Sequence, residues 1–177
     1  MTDVVRITVS EATALLTAVF ERAGASASVA SCVSRALVAA ESEGQIGHGF
    51  SRVADYVAQI RSGKINVDAK PILERRAPAA LHVKAGHGFA YPALDVALQA
   101  GIPLAREMGV AVTTVGNAHH CGAMSIQVER IAEAGLIGVM VANAPKAIAP
   151  WGAKDAVFGT NPIAFATPVA KAPPLVI

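Results

Sequence analysis

The sequence predicts an α/β protein: a helical N-terminal part over residues 1–75, then a mixed-sheet α/β domain over 76–177. Three observations carry this. Apolar residues recur at spacings of three and four through the first third of the chain. After Pro78, short β-branched runs alternate with helical stretches. Apolar residues make up 53% of the 177 positions and charged ones only 16%. That composition excludes a disordered chain and implies surface that another element or chain covers.

Thr8-Val9-Ser10-Glu11 has the form of a capping box, with Thr8 as N-cap. Leu15, Leu16, Val19 and Phe20 then mark one helical face, and Gly24 stops the helix. A second helix fits Ser28 to Glu43, with Val29, Val33, Ala36, Leu37 and Ala40 inward. A third follows Gly49, carries Phe50, Val53, Val57 and Ile60, and ends at Gly63. Residues 66–71 form a connection. Ala80 to Val83 is a short strand, followed by a turn at Gly86-His87-Gly88. Pro92 suits the first turn of the next helix, whose inward face is Leu94, Ala97, Leu98, Gly101, Ala105 and Met108. Pro103 inside that span predicts a kink or break near Gly101.

Val110 to Val115 is β-branched and reads as a strand; a loop over Gly116 to Gly122 leads to a helix from Met124 to Ala134. Ile137 to Val141 is another strand. Residues 143–162 form a long Pro-, Gly- and Asn-rich loop, of the kind that carries function in compact domains. Ile163 to Ala166 is a strand, and Leu175-Val-Ile177 has the character of one beginning.

Several classes drop out. Fifteen Lys and Arg against 13 Asp and Glu, with no basic run longer than Arg75-Arg76, give no nucleic-acid footprint. Cys32 and Cys121 are too far apart for a disulfide framework or zinc knuckle. The start, Met1 to Arg6, lacks the charged-then-apolar shape of a signal peptide, and Ala134 to Ala142 is too short to span a bilayer. The expectation is a soluble, reduced, cytoplasmic protein with no membrane partner.

Three clusters could carry chemistry. His48 and Arg52 lie four apart at the start of the third helix, with Asp55 and Gln59 continuing the stripe. A solvated face with an Arg52–Asp55 pair is one reading. The other is a carboxylate clamp, in which the Arg fork binds a carboxylate and the His exchanges a proton beside it. The second cluster, Asn117-Ala-His119-His120-Cys121-Gly122, follows the strongest strand, where α/β proteins place ligands. Adjacent side chains diverge, so a metal site from His119, His120 and Cys121 is disfavoured against a catalytic or cofactor-contacting histidine. Nothing in the sequence marks Cys121 as a nucleophile.

The third cluster is Pro150-Trp-Gly-Ala-Lys154 with Phe158-Gly-Thr-Asn-Pro162, a tight backbone presenting hydroxyl and amide groups. Gly47-His-Gly-Phe50 recurs as Gly86-His-Gly-Phe89, but neither copy extends to a Rossmann fingerprint and no Walker A sequence exists.

In this order and spacing, Gly47-His-Gly-x-x-Arg52 with Tyr56, His120-x-Gly-Ala123, Pro-Trp-Gly and Gly-Thr-Asn-Pro-Ile163 resemble the malate/L-lactate dehydrogenase family. This is a non-Rossmann group of NAD(P)-dependent oxidoreductases that includes ureidoglycolate dehydrogenase and Δ1-piperideine-2-carboxylate/Δ1-pyrroline-2-carboxylate reductase. The resemblance implies an L-sulfolactate dehydrogenase-like fold, incomplete in this chain. It implies hydride transfer, with NAD(H) or NADP(H), at the carbon next to the carboxylate of a small 2-oxo or 2-hydroxy acid or cyclic imino acid.

By the same resemblance His48 and His120 are catalytic, with His120 also contacting cofactor. Arg52 holds the substrate carboxylate, and Asn143, Ala144, Thr160 and Asn161 approach the nicotinamide cofactor. Members are homodimers of about twice this length, with an assisting Asp beyond the position of Ile177. A C-terminal half, as a second chain or missing segment, is therefore expected to complete the unit; the alternative is an inactive or interacting half. Gly47 replaces the family's Ser, Cys121 follows the loop histidine, and Lys84 stands at a usually acidic position. These departures weaken any narrower substrate assignment. The segment from Asn143 to Gly152 lies nearer the cyclic-imine reductases than the malate enzymes.

Overall fold

The computed structural model describes residues 5–177, so Met1 to Val4 of the N-terminal stretch read above lie outside it. The residues fall into two compact units, one ending at Ala123 and one running from Met124 to Ile177.

The first unit opens with α1 (Val9–Ala23) and α2 (Ala27–Ser42). The capping box forms as read: Glu11 N donates to Thr8 Oγ1 at 3.1 Å, and Thr8 N donates to Glu11 Oε2 at 2.8 Å. Gly24 ends α1 in the left-handed region at φ 113°, which a side chain would resist. Ala12, Leu16 and Phe20 face inward, whereas Leu15 stays 58% exposed, one position off the inward stripe. Two 3-10 turns, Ile46–His48 and Phe50–Arg52, then lead into α3 (Val53–Arg61).

Strand β1 (Ile72–Ala77) is not evident from the sequence, because Glu74-Arg75-Arg76 reads as a solvated segment. It is an edge strand, antiparallel to β2 (Ala80–Lys84), and its Glu74 pairs with Lys84 and Arg76. The residue 75/76 boundary falls inside it. From β2 the chain crosses through α4 (Ala90–Met108) to β3 (Val112–Gly116), which pairs parallel with β2. The first sheet is thus mixed, in the order β1-β2-β3.

The expected break in α4 does not occur: Pro103 sits within one continuous helix. The lost N–H contact is outweighed by burial on both sides of it, at Ala93, Leu94 and Ala97 before and Leu104 after. Gly101 lies where an added Cβ would come within 2.8 Å of Thr113 Oγ1, so the helix seats close on β3.

The main core of this unit joins α1, α2 and α3 with Phe89 and Tyr91 at the start of α4. Phe20 is fully buried and meets the rings of Tyr56 and Phe89 at centroid distances of 6.5 and 6.3 Å.

The second unit holds α5 (Ser125–Glu133), β4 (Gly138–Val141), β5 (Ile163–Val169) and β6 (Ala172–Val176). Its strands form an antiparallel sheet in that order. Pro173 and Pro174 are accommodated because β6 is the edge. Val128, Ala132, Ala164 and Ala166 are buried, while Val139, Val141, Ile163 and Ile177 are exposed. No helix of the described residues is long and apolar enough to cross a membrane.

Phe20→Ala removes the ring that supports Tyr56 and is expected to lower unfolding free energy by about 3–5 kcal/mol. Chemical denaturation checks this, and a loss below about 1 kcal/mol would contradict the packing described.

Candidate active site

The site grows from the segment between α2 and α3. Glu41, in the last turn of α2, turns its carboxylate onto the following chain, where Phe50 N donates to Oε2 at 2.7 Å. That carboxylate lies against Gly49, where any Cβ would stand 2.2 Å from Oε2. Ser51 Oγ donates to the Ile46 carbonyl and Arg52 Nε to the Gly47 carbonyl, each at 2.6 Å. Three hydrogen bonds thus pin the two short turns that carry His48 and Arg52. Glu41 and Ser51 escaped the sequence reading, since nothing local distinguishes them from surface residues.

Arg52 does not pair with Asp55; among the described residues the ion pairs lie elsewhere. With Nε spent on Gly47, its terminal nitrogens form an unpaired cationic fork. Asp55 of the stripe is exposed, while its neighbour Tyr56 and Gln59 turn toward the loop after β3. Tyr56 is 2% exposed, and Gln59 Oε1 meets His119 Nε2.

The loop after β3 brings its histidines to this stripe. His120 Nδ1 lies 2.8 Å from the Tyr56 hydroxyl, which lies 3.1 Å from the Tyr91 hydroxyl. The His48 and His120 rings stack at 5.4 Å and 15°. Gly122 makes this approach achievable: it sits at φ 68°, and a Cβ there would come 2.4 Å from the Tyr91 hydroxyl. Tyr91 and Gln59 are site residues that sequence spacing alone could not supply, lying 35 and 60 positions from their partners.

Electrostatics favour neutral imidazoles. His120 is pushed down to about 4, first by burial and then by the charges of His48, Arg52 and His119. The edge of its ring that stays open to water screens part of this effect. Burial, then Arg52, lowers His48; burial, then Lys64, lowers His119. Burial pushes the Cys121 thiol up, away from the thiolate a nucleophile needs. Among the described residues no three metal-ligating side chains converge, and the His119 and His120 rings lie 78° apart.

Within the second unit, the long loop brings its own residues together. Ala144 N donates to Asn161 Oδ1 at 3.0 Å, and Asn161 adopts φ 42°. Gly159 packs so closely that a Cβ would stand 2.2 Å from the Ala144 carbonyl oxygen. Asn143 and Thr160 flank this contact and are exposed.

The sequence profile described as malate/L-lactate dehydrogenase matches residues 7–177. The chain belongs to this family. It is 44% identical over 171 residues to (2R)-3-sulfolactate dehydrogenase (NADP(+)) of Chromohalobacter salexigens, covering 97% of this chain and 51% of that protein. It is 39% identical over 173 residues to the Δ1-pyrroline-2-carboxylate/Δ1-piperideine-2-carboxylate reductase of Pseudomonas putida, covering 98% and 51%.

Among solved structures it superposes on Δ1-piperideine-2-carboxylate reductase of Pseudomonas syringae with TM-score 0.87 at 33% identity, covering 98% of this chain and 52% of that one. On sulfolactate dehydrogenase of Methanocaldococcus jannaschii the TM-score is 0.89 at 26% identity, covering 97% and 49%. The chain therefore has the sulfolactate dehydrogenase-like α/β fold in part, and spans about half the length of the relatives it matches.

Two outcomes follow from the site's construction. Glu41→Ala removes a charge-assisted acceptor and should cost about 1.5–3 kcal/mol of stability, with faster amide exchange at Phe50. Glu41→Gln, which keeps an acceptor oxygen, should recover most of both. An unchanged Phe50 exchange rate in Glu41→Ala would contradict the pinning.

The histidines give a pH dependence. Their folded values lie below the ordinary 6.5, so between pH 6.5 and about 4 the unfolded chain binds more protons. Their contribution to stability is full above pH 6.5 and is lost as pH falls toward 4. The melting temperature should drop across that window, and less in His120→Gln. Equal drops in both proteins would contradict the assignment.

Proposed function

We propose that this chain is the N-terminal half of an NAD(P)-dependent oxidoreductase, carrying its substrate-side part and the first part of its cofactor-binding domain. The reaction transfers hydride to or from the carbon next to a carboxylate, in a small 2-oxo or 2-hydroxy acid or a cyclic imino acid. The observation that carries this reading is the Arg52 fork. Among the described residues it has no acidic partner, is held rigid through Nε, and sits beside two neutral, stacked histidines. A carboxylate on the two terminal nitrogens of Arg52 would set its α-carbon against His48 and His120. Those histidines hold the carbonyl oxygen or imine nitrogen and exchange its proton. Stacked at 5.4 Å, they cannot both carry charge at low cost, so one proton at a time is handled there.

The residues of the second unit fit a nicotinamide nucleotide. Asn143 and Thr160 present exposed amide and hydroxyl groups, and the Ala144–Asn161 contact fixes the backbone between them. Asn143, Ala144, Thr160 and Asn161 would hold the cofactor, which supplies the hydride. The named cofactor of the C. salexigens relative, NADP(+), makes NADP(H) the first choice to test.

Residues equivalent to the other half of the relatives, on this polypeptide or a second one, complete the catalytic unit. Two such units form the expected homodimer, working in the cytoplasm. Val139, Val141 and Ile163, on one face of the second sheet, support this reading, since exposed apolar area of that kind is normally covered.

In the completed unit, with NADPH and either pyruvate-type 2-oxo acids or Δ1-pyrroline-2-carboxylate as substrates, His48→Ala is expected to reduce kcat at least a hundredfold. Arg52→Lys is expected to raise KM at least tenfold, because an ammonium cannot reproduce the fork. Near-wild-type kinetics in both variants would overturn the assignment.

A further inference from the structure

The two tyrosines behind His120 have no part in the reaction as described above. Both are deeply buried, Tyr56 at 2% and Tyr91 at 4% exposure, and their hydroxyls form a chain ending on His120 Nδ1. Each hydroxyl carries one proton, so the chain has a direction. Among the described residues Tyr91 finds its partner in Tyr56. If Tyr91 donates to Tyr56, and Tyr56 donates to Nδ1, every proton is used. The opposite direction leaves the Tyr91 proton without a hydrogen-bond acceptor among the described residues, the costly state for a buried donor. Nδ1 is then an acceptor, and the neutral ring must carry its proton on Nε2.

We propose that Tyr91 and Tyr56 are positioning residues that hold His120 as the neutral Nε2–H tautomer. His120 is thereby a hydrogen-bond donor to the substrate's carbonyl oxygen or imine nitrogen, and proton transfer falls to His48. A neutral imidazole polarises a carbonyl in this way without having to give up its proton. The functional half of this inference rests on the oxidoreductase reading above; the tautomer does not.

The surroundings agree. The groups facing the ring are His48 and Arg52 from the pinned turns, Tyr56 from α3, and His119 from its own loop. The charges acting on the ring come from His48, Arg52 and His119, and none is a carboxylate that would stabilise an imidazolium. A proton relay outward through the tyrosines is excluded on the same grounds. Outward transfer would leave an extra proton on a neutral tyrosine hydroxyl, and inward transfer to His120 would leave a tyrosinate at Tyr91, whose hydroxyl burial makes far less acidic than usual. The pair holds the ring and does not conduct.

The test uses the chain labelled with 15N-histidine, with the tautomer read from long-range proton–nitrogen correlations at pH 7.5. The expected result is a single Nε2–H form for His120 in the wild type and in Tyr91→Phe. In Tyr56→Phe, which keeps the ring and removes the donor, a mixture approaching that of free imidazole is expected. An Nδ1–H form in the wild type, or an unchanged spectrum in folded Tyr56→Phe, overturns the proposal.

Turnover supplies the second arm. His120→Gln, whose amide can still donate, should keep at least tenfold more kcat than His120→Ala, with the pH profile of the wild type. Tyr56→Phe should lower kcat several-fold with KM unchanged. Equal kcat in the Gln and Ala variants would overturn the donor role. The expected tautomer in a completed catalytic unit that has no turnover on these substrates would sink the oxidoreductase reading instead, and leave the tyrosine-held tautomer standing.

Discussion

The Tyr56 hydroxyl is the point on which the first unit's chemistry depends. It lies between the Tyr91 hydroxyl and His120 Nδ1, and so ties α3, the start of α4 and the loop after β3 into one polar cluster. Its ring belongs to the main core, packed with Phe20 and Phe89. A single side chain thus transmits the packing of three helices to a histidine. A buried hydroxyl must be satisfied, and the contact with His120 Nδ1 gives the Tyr56–Tyr91 pair its acceptor. The core and the site are one construction, and a loose core would leave the histidine without a fixed orientation.

Around that anchor, the smaller residues do geometric work. Gly122 lets the loop pass close to Tyr91, and Gly49 lets Glu41 reach the backbone that carries His48 and Arg52. The carboxylate of Glu41 and the carbonyl of Gly47 between them fix the histidine and the guanidinium on adjacent turns. Gly47 contributes through its backbone, its carbonyl accepting from Arg52 Nε.

Much of the architecture is legible in the sequence where a local rule governs it. The Thr8–Glu11 box, the Gly24 stop, the β-branched run into β3 and the α5 boundaries all follow from interactions within a few residues. The reading fails where distant packing decides. β1 has a charged sequence and exists because β2 supplies its hydrogen-bond partners. Pro103 does not interrupt α4, because burial on either side holds the helix. The roles of Tyr91 and Gln59 depend on partners far along the chain, for which no spacing rule exists. His48, Arg52 and His120 were legible as candidates through motif and order, and the structure brings them together; that they perform catalysis is the proposal made here.

The proposed function turns on hydride moving at the carbon held beside Arg52. Its most direct measurement is the fate of the label when NADPH deuterated at C4 of the nicotinamide is turned over with a 2-oxo acid or cyclic imine. The account predicts one deuterium at C2 of the product, next to the carboxylate, in a single stereoisomer. Product formed without deuterium at C2 from either C4 position, or with the label elsewhere, would contradict it.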